Sequence, residues 1–172
     1  MKKLVCLFTL ALLSIARAGS FDAGFYYYLS TEFEGANRVL DVVNDGKAND
    51  QVVLAKKGDF SGQLWKLTPE EGGFYRLTNQ WKGSEFSLDV VNDGKNNNKL
   101  ALAKSDAVTG QLWKLTPAGD GSYRLTTQWR GAKFSLDVYN DAEEKSSSLI
   151  LAPTDEVTGQ YWKVTKSAVP VK

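Results

Sequence analysis

The chain has 172 residues, with 21 Lys and Arg against 20 Asp and Glu, one Cys and no His. Without histidine it lacks Ser-His-Asp and Cys-His catalysis and the usual zinc sites, so neither a stand-alone enzyme nor a cofactor nor a bound metal is expected. The charge is balanced and forms no basic block, which argues against nucleic acid or an anionic membrane as partner.

The first 18 residues are predicted to be a secretory signal peptide. Lys2-Lys3 precedes an apolar run over 4–15, and Ala16-Arg17-Ala18 supplies small residues before the cleavage point. The run is too short to span a membrane. The mature chain, 19–172, is then expected to be one secreted, extracellular domain without cysteine. At about 150 residues it is long enough to build a self-sufficient core.

The mature chain repeats one pattern three times at a spacing of 48 residues. Each unit contains Leu-Asp-Val followed by Gln-x-Trp. The aspartates are Asp41, Asp89 and Asp137, and the glutamines are Gln63, Gln111 and Gln160. The units cover approximately 26–69, 74–117 and 122–166. A repeat of this length buries its apolar face only by stacking on its copies, and three copies indicate a closed object with three-fold pseudosymmetry.

Each unit is predicted to form four short strands, which the second unit shows most clearly. Its strands are expected over 75–80, 86–91, around 100–102 and over 111–116, the last ending before Pro117. Gly, Pro and Asn-Asp-Gly turn signals separate the strands, and no stretch has sustained helical periodicity. Twelve strands in three units predict an all-β fold, a hairpin-capped barrel of the β-trefoil type.

Alternation along the strands predicts which side chains face the core. Leu88 and Val90 face inward, so Asp89 and its copies in the other repeats point outward. On the fourth strand, Gln111 and Trp113 are expected to share a face, and the same holds in the other repeats. The three tryptophans are therefore expected to meet in the central core.

Three Gln-x-Trp motifs in register, each preceded by Leu-Asp-Val, resemble the ricin B-chain or R-type lectin family of β-trefoils. The resemblance covers the chain from about Tyr26 to Lys166. It implies a carbohydrate-binding protein with up to three shallow sites, whose partners are glycans or glycoproteins. In that family the aspartate accepts hydrogen bonds from two vicinal sugar hydroxyls, and the glutamine braces the aspartate from behind.

Carried over residue by residue, the resemblance implies one pocket in each repeat. An asparagine three residues after each aspartate is placed to reach the same ligand. The candidate carbohydrate-binding residues are Asp41, Asn44, Gln63, Asp89, Asn92, Gln111, Asp137, Asn140 and Gln160. The second repeat keeps the run 89–94 intact and is the repeat in which a sugar site is most expected. The third repeat departs from the pattern after Asp141.

Two features depart from the family pattern. Alanine stands in every repeat where active members have a stacking aromatic residue: Ala55, Ala103 and Ala152. Glycine replaces the family's asparagine before Gln-x-Trp: Gly62, Gly110 and Gly159. Another aromatic residue must then supply the platform, and Tyr139, Trp81 and Trp129 are the options. The alternative function is that of a secreted structural, matrix or inhibitor β-trefoil that has lost the lectin site.

Overall fold

The computed structural model describes residues 21–47, 50–141 and 146–172, with side chains except at 140–141 and 146–147. The predicted signal peptide lies outside these residues. Twelve strands follow one another: β1 (Phe25–Thr31), β2 (Arg38–Val42), β3 (Val52–Lys56), β4 (Trp65–Glu70), β5 (Phe74–Asn79), β6 (Phe86–Val90), β7 (Leu100–Lys104), β8 (Trp113–Gly119), β9 (Ser122–Thr127), β10 (Phe134–Asp141), β11 (Ser146–Pro153) and β12 (Trp162–Pro170).

The helical segments of the described chain are all single 3-10 turns. They are Ser61–Gln63, Glu71–Gly73, Thr109–Gln111, Gly131–Lys133 and Thr158–Gln160. Three of them precede the fourth strand of a repeat. In the part of the chain that the structure covers, no helix has the length and apolar character needed to cross a membrane.

Six strands close into a barrel in the order β1-β12-β9-β8-β5-β4, and each repeat contributes two of them. The other six form the hairpins β2–β3, β6–β7 and β10–β11, one from each repeat. Strands β3, β7 and β11 contact one another, so the hairpins converge. This arrangement confirms the predicted all-β fold, a β-trefoil of twelve strands.

The core is built around the three tryptophans of the Gln-x-Trp motifs. Trp65, Trp113 and Trp162 are fully buried and belong to one hydrophobic cluster, as predicted. Each indole Nε1 donates a hydrogen bond of 2.9 Å to the carbonyl oxygen of the leucine in the Leu-Asp-Val motif of its own repeat. A buried indole N–H needs an acceptor, and this bond ties a barrel strand to its hairpin.

The prediction for the fourth strand was wrong at both ends. The glutamine lies in the preceding 3-10 turn, and the strand begins at the tryptophan. Strands β4 and β8 also continue through Pro69 and Pro117. Strand β4 pairs with β1 only at Trp65, so Pro69 lies where that edge has no partner strand. A missing N–H costs little on an unpaired edge.

One aromatic residue outside the repeats lies on the pseudo-three-fold axis. The ring of Phe21 is 5.5 Å from Tyr27 and 5.4 Å from Tyr75 and Tyr123, measured between ring centroids. The three tyrosines occupy equivalent positions in their repeats, and the ring contacts are edge-to-face or tilted, which are favourable geometries. A single phenylalanine therefore packs against all three repeats at once.

Replacing Phe21 with Ala should lower the free energy of unfolding by about 2 kcal/mol. The value is below the range of roughly 3–5 kcal/mol for a fully buried phenylalanine because Phe21 remains partly exposed. Urea denaturation followed by tryptophan fluorescence measures the change. Phe33→Ala is the control, since Phe33 is 43% exposed and should cost less than about 0.5 kcal/mol. Equal losses in both variants would contradict the role of Phe21.

Candidate functional site

Each repeat places its aspartate on the outer face of a hairpin. In the first repeat Leu40 and Val42 are buried and Asp41 between them is half-buried. The same alternation puts Asp89 and Asp137 on the outer faces of their hairpins. The outward direction of the three carboxylates, predicted from the alternation, is what the structure shows.

A buried glutamine holds each carboxylate from behind. Nε2 of Gln63, Gln111 and Gln160 donates to Oδ2 of the aspartate in the same repeat, at 2.9, 3.1 and 3.2 Å. The same nitrogen donates to a backbone carbonyl at 2.9 Å, and Oε1 accepts a backbone N–H at 2.8–3.0 Å. Both amide hydrogens are used, and each glutamine is at most 1% exposed. The glutamines therefore orient the carboxylates and do not reach a ligand themselves.

A glycine lies directly beneath each carboxylate. A Cβ atom on Gly62, Gly110 or Gly159 would lie 2.4–2.5 Å from Oδ1 of the aspartate of the same repeat, and 2.4–3.0 Å from a backbone carbonyl oxygen. No side chain fits at that distance. The glycine found in place of the family's asparagine is thus required by the close approach of the carboxylate.

Each carboxylate retains acceptor capacity toward solvent. In the second repeat Oδ1 of Asp89 accepts the N–H of Val90 at 2.7 Å, and Oδ2 accepts the bond from Gln111. A carboxylate oxygen has two lone pairs, so each oxygen can accept one more hydrogen bond. The geometry therefore provides two adjacent acceptor positions on a carboxylate that the protein has already oriented.

Open pockets adjoin the carboxylates of the first two repeats. The pocket of the second repeat, about 510 Å³, is lined by Asp89, Asn92, Val108 and Trp129, among others. The pocket of the first repeat, about 350 Å³, includes Asp41, Asn44, Ala55, Phe60 and Gly62 in its lining. Both predicted asparagines thus lie in their pockets. The side chain of Asn140 and residues 142–145 of the third repeat lie outside the described part of the chain.

The aromatic residues named as alternative platforms are placed differently. Trp129 comes from the third repeat but lines the pocket of the second. Its backbone N–H donates to the carbonyl oxygen of Thr109 in that pocket. Tyr139 is 54% exposed at the position equivalent to Val91. Trp81 does not line either pocket, and the Nζ of Lys82 lies 4.7 Å from its ring centroid.

The exposed large apolar side chains of the described residues stand at positions related to these pockets. Five large ones are exposed: Phe33, Phe60, Val108, Tyr139 and Val157. Each stands at a position whose counterpart lines a pocket in at least one repeat. Sequence reasoning missed Phe60, Val108 and Val157, which lie three residues before the glutamine and outside the recognised motifs. The available signal was an aromatic residue at this position in one repeat and valine in the other two.

Burial affects the carboxyl group of the first repeat. It raises the pKa of the Asp41 carboxyl above its usual value, although hydrogen bonds from Gln63 and from the N–H of Val42 act in the opposite direction. In the exposed turn after β6, hydrogen bonds from the backbone and side chain of Asn96 and from the N–H of Lys95 lower the pKa of Asp93 to about 2. Among the described residues, no group of three or more His, Cys, Asp or Glu side chains is placed to hold a metal ion.

The three glutamine-held carboxylates thus lie on the hairpins of a β-trefoil. The family model for the ricin-type beta-trefoil lectin domain-like proteins matches residues 61–152, more than half of the chain. The chain belongs to this family. No curated protein matches it significantly in sequence.

Solved structures of the same fold include a designed protein, an enzyme and a lectin. The designed three-fold symmetric protein ThreeFoil is 24% identical with a TM-score of 0.68, over 81% of this chain and 97% of that one. An exo-β-1,3-galactanase from Clostridium thermocellum is 26% identical with a TM-score of 0.66, over 83% and 30%. The Polyporus squamosus lectin, bound to a human-type influenza-binding epitope, is 19% identical with a TM-score of 0.65, over 86% and 50%.

Replacing Gln111 with Ala should lower the free energy of unfolding by about 2 kcal/mol, because several partly buried polar groups lose their partner. These are the Asp89 carboxylate, the carbonyl of Lys104 and the N–H of Asp106. Thermal and urea unfolding measure the loss. The control Gln128→Ala removes an exposed glutamine and should change stability by less than about 0.5 kcal/mol. An unchanged free energy of unfolding in Gln111→Ala would show that the glutamine is not needed to hold the carboxylate.

A pH titration of the side-chain carboxyl carbons by NMR should separate Asp41 from Asp93. Asp41 should titrate above 3.8 and Asp93 near 2. Since folding raises the pKa of Asp41, its contribution to stability is full below pH 3.8 and is lost as the pH rises through the folded-state pKa. In Asp41→Asn this decline should be absent. A midpoint for Asp41 at or below 3.8 would contradict the prediction.

Proposed function

We propose that the protein is a secreted, non-catalytic carbohydrate-binding protein whose ligand sites lie on the outer faces of its three hairpins. One observation carries this proposal: an outward carboxylate held by a buried glutamine at 2.9–3.2 Å, repeated at Asp41, Asp89 and Asp137. Membership of the ricin-type lectin-like family supports it. Secretion is included because residues 1–18 have the charge and apolar pattern of an export signal.

The carboxylate suits the recognition of vicinal hydroxyl groups. It only accepts hydrogen bonds, and its two oxygens match two donors that a sugar ring holds at a fixed separation. Hydrogen bonds to a charged acceptor are also stronger than those to a neutral one. Because the glutamine already fixes the rotamer of the aspartate, little side-chain entropy is lost when a ligand binds.

The pocket walls provide further contacts. Asn44 and Asn92 are exposed at the pockets of the first and second repeats, and an amide both donates and accepts hydrogen bonds. In the second repeat Trp129 forms part of the wall. An open pocket with an aromatic wall and a few polar groups is the usual form of a small-molecule site.

Three sites on one rigid barrel would act together. An individually weak site gains roughly 10²–10⁴-fold in avidity when a multivalent surface engages several copies at once. The expected ligands are therefore clustered glycans or glycoproteins, to which the protein would bind more tightly than to free monosaccharides.

The alternative is a β-trefoil that keeps the fold without sugar binding. Two observations favour it. Each carboxylate is already hydrogen-bonded within the protein and packs on a glycine. In the first repeat, Ala55 stands where the family has an aromatic residue. In that case the Asp-Gln pair serves to fasten the hairpin to the barrel.

Changing all three aspartates, Asp41, Asp89 and Asp137, to Asn should reduce binding to a glycan array by at least about 100-fold. Each change removes a charged acceptor and places an amide donor near the ligand hydroxyls, and the loss is compounded by multivalency. Single variants at each site should show smaller, separate losses. Surface plasmon resonance on immobilised glycans found by the array gives the affinities.

The matched control is Asp120→Asn, in the exposed turn between β8 and β9. It makes the same chemical change away from the pockets and should bind like the wild type. Circular dichroism verifies the fold of all variants. A folded wild-type protein that binds no glycan on the array would support the alternative function.

A further inference from the structure

We infer that the first repeat carries the strongest ligand site, and that Phe60 is the aromatic platform on which the apolar face of a pyranose ring stacks. This inference rests on the proposed carbohydrate-binding function and specifies the site further. It differs from the sequence expectation in two respects. The principal site is in the first repeat instead of the second, and the platform precedes the 3-10 turn instead of following the third strand.

Phe60 is exposed yet held in place. Its side chain is 63% exposed and lines the same pocket as Asp41. Its ring lies over Gly58, where a Cβ atom would be 2.5 Å from Cε2 and 2.9 Å from Cδ2 of the ring. One part of the ring therefore packs on the glycine backbone, while the rest remains available to a ligand.

The backbone beneath the ring is also fixed. The N–H of Gly58 donates to Oε1 of Gln63 at 2.8 Å, and its carbonyl accepts the hydroxyl of Tyr28 at 3.4 Å. Gln63 is the residue that orients the Asp41 carboxylate at 2.9 Å. One glutamine side chain thus positions both the carboxylate and the glycine that supports the ring. The carboxylate and the ring are therefore fixed relative to each other.

The other repeats provide an internal comparison. Their counterparts of Gly58 are Asp106 and Asp155, whose N–H groups make the same bond to a glutamine at 2.9 and 3.0 Å. The backbone is therefore equivalent, and only the side chains differ. Where the first repeat has phenylalanine over glycine, the others have Val108 and Val157 two residues after an aspartate.

The pairing of phenylalanine with glycine follows from sterics. A side chain at position 58 would overlap the ring where Phe60 now lies. Phenylalanine thus occurs at this position in the one repeat whose residue two positions earlier has no side chain. The exposed ring and the half-buried carboxylate line one pocket, and such a combination of apolar and polar groups is typical of small-molecule sites.

The ligand chemistry follows from these two groups. An aromatic face packs on the C–H groups of a sugar ring, and the carboxylate accepts hydrogen bonds from two adjacent hydroxyls at the edge of that ring. The site therefore fits a pyranose with one apolar face and vicinal hydroxyls. Ala55 on β3 lines the same pocket, and its methyl side chain fills little of it.

The test is an NMR titration of the whole mature chain with methyl pyranosides of galactose, mannose, glucose and N-acetylglucosamine. Backbone amide shifts report binding at each repeat separately. We expect the largest shifts at Phe60 and Gly62, and a weakening of binding at the first repeat by about tenfold in Phe60→Ala, since most of the apolar contact is removed. The matched variants Val108→Ala and Val157→Ala should leave binding at the first repeat within twofold of the wild type.

A transfer of the platform provides the converse test. The double variant Asp106→Gly with Val108→Phe reproduces the first-repeat pair in the second repeat and should strengthen binding there several-fold. Binding at the first repeat that is unchanged in Phe60→Ala but lost in Asp41→Asn would overturn the platform while leaving the proposed function intact. A wild-type chain that binds neither these pyranosides nor any glycan on the array would overturn both.

Discussion

Two hydrogen bonds in each repeat join its hairpin to the barrel, and the geometry of the candidate site depends on them. The indole of the Gln-x-Trp tryptophan donates to the carbonyl oxygen of the leucine in Leu-Asp-Val. The glutamine donates to the carboxylate of the aspartate in the same motif. The last residue of the 3-10 turn and the first residue of the fourth strand thereby bind two adjacent residues of the hairpin. The first bond is buried, so it lies in a low-dielectric setting where losing a partner is costly.

The same bonds also determine what the outer face presents. The glutamine that fastens the hairpin sets the carboxylate rotamer, and the glycine beneath the carboxylate permits its close approach. Stability and the candidate site are therefore coupled through one side chain. A substitution at Gln63 disturbs the core and the site together, whereas a substitution at Phe60 alters the site alone, because that ring is exposed.

The repeat period and strand alternation were sufficient to predict the fold, the buried tryptophans and the outward aspartates. The fourth strand was misjudged because Gln111 is buried like a strand residue although it belongs to a 3-10 turn, and because Pro117 was taken to end a strand that continues through it. The roles of Phe21 and Phe60 were not predicted, for a different reason. Neither phenylalanine recurs in the other repeats, so a comparison of the repeats does not single it out. Their roles also depend on packing between segments that are distant in the sequence.

The three repeats differ most where the side chains do not support the core. Buried positions keep the same residue type, as in Leu40, Leu88 and Leu136, whereas two exposed positions at the pockets vary. Phenylalanine or valine precedes the 3-10 turn, and valine or tyrosine follows the aspartate by two residues. Exposed substitutions of this kind usually change stability little. A rigid three-fold frame can therefore carry three sites of different affinity, because the hydrogen bonds that hold each carboxylate are independent of the side chains that line its pocket.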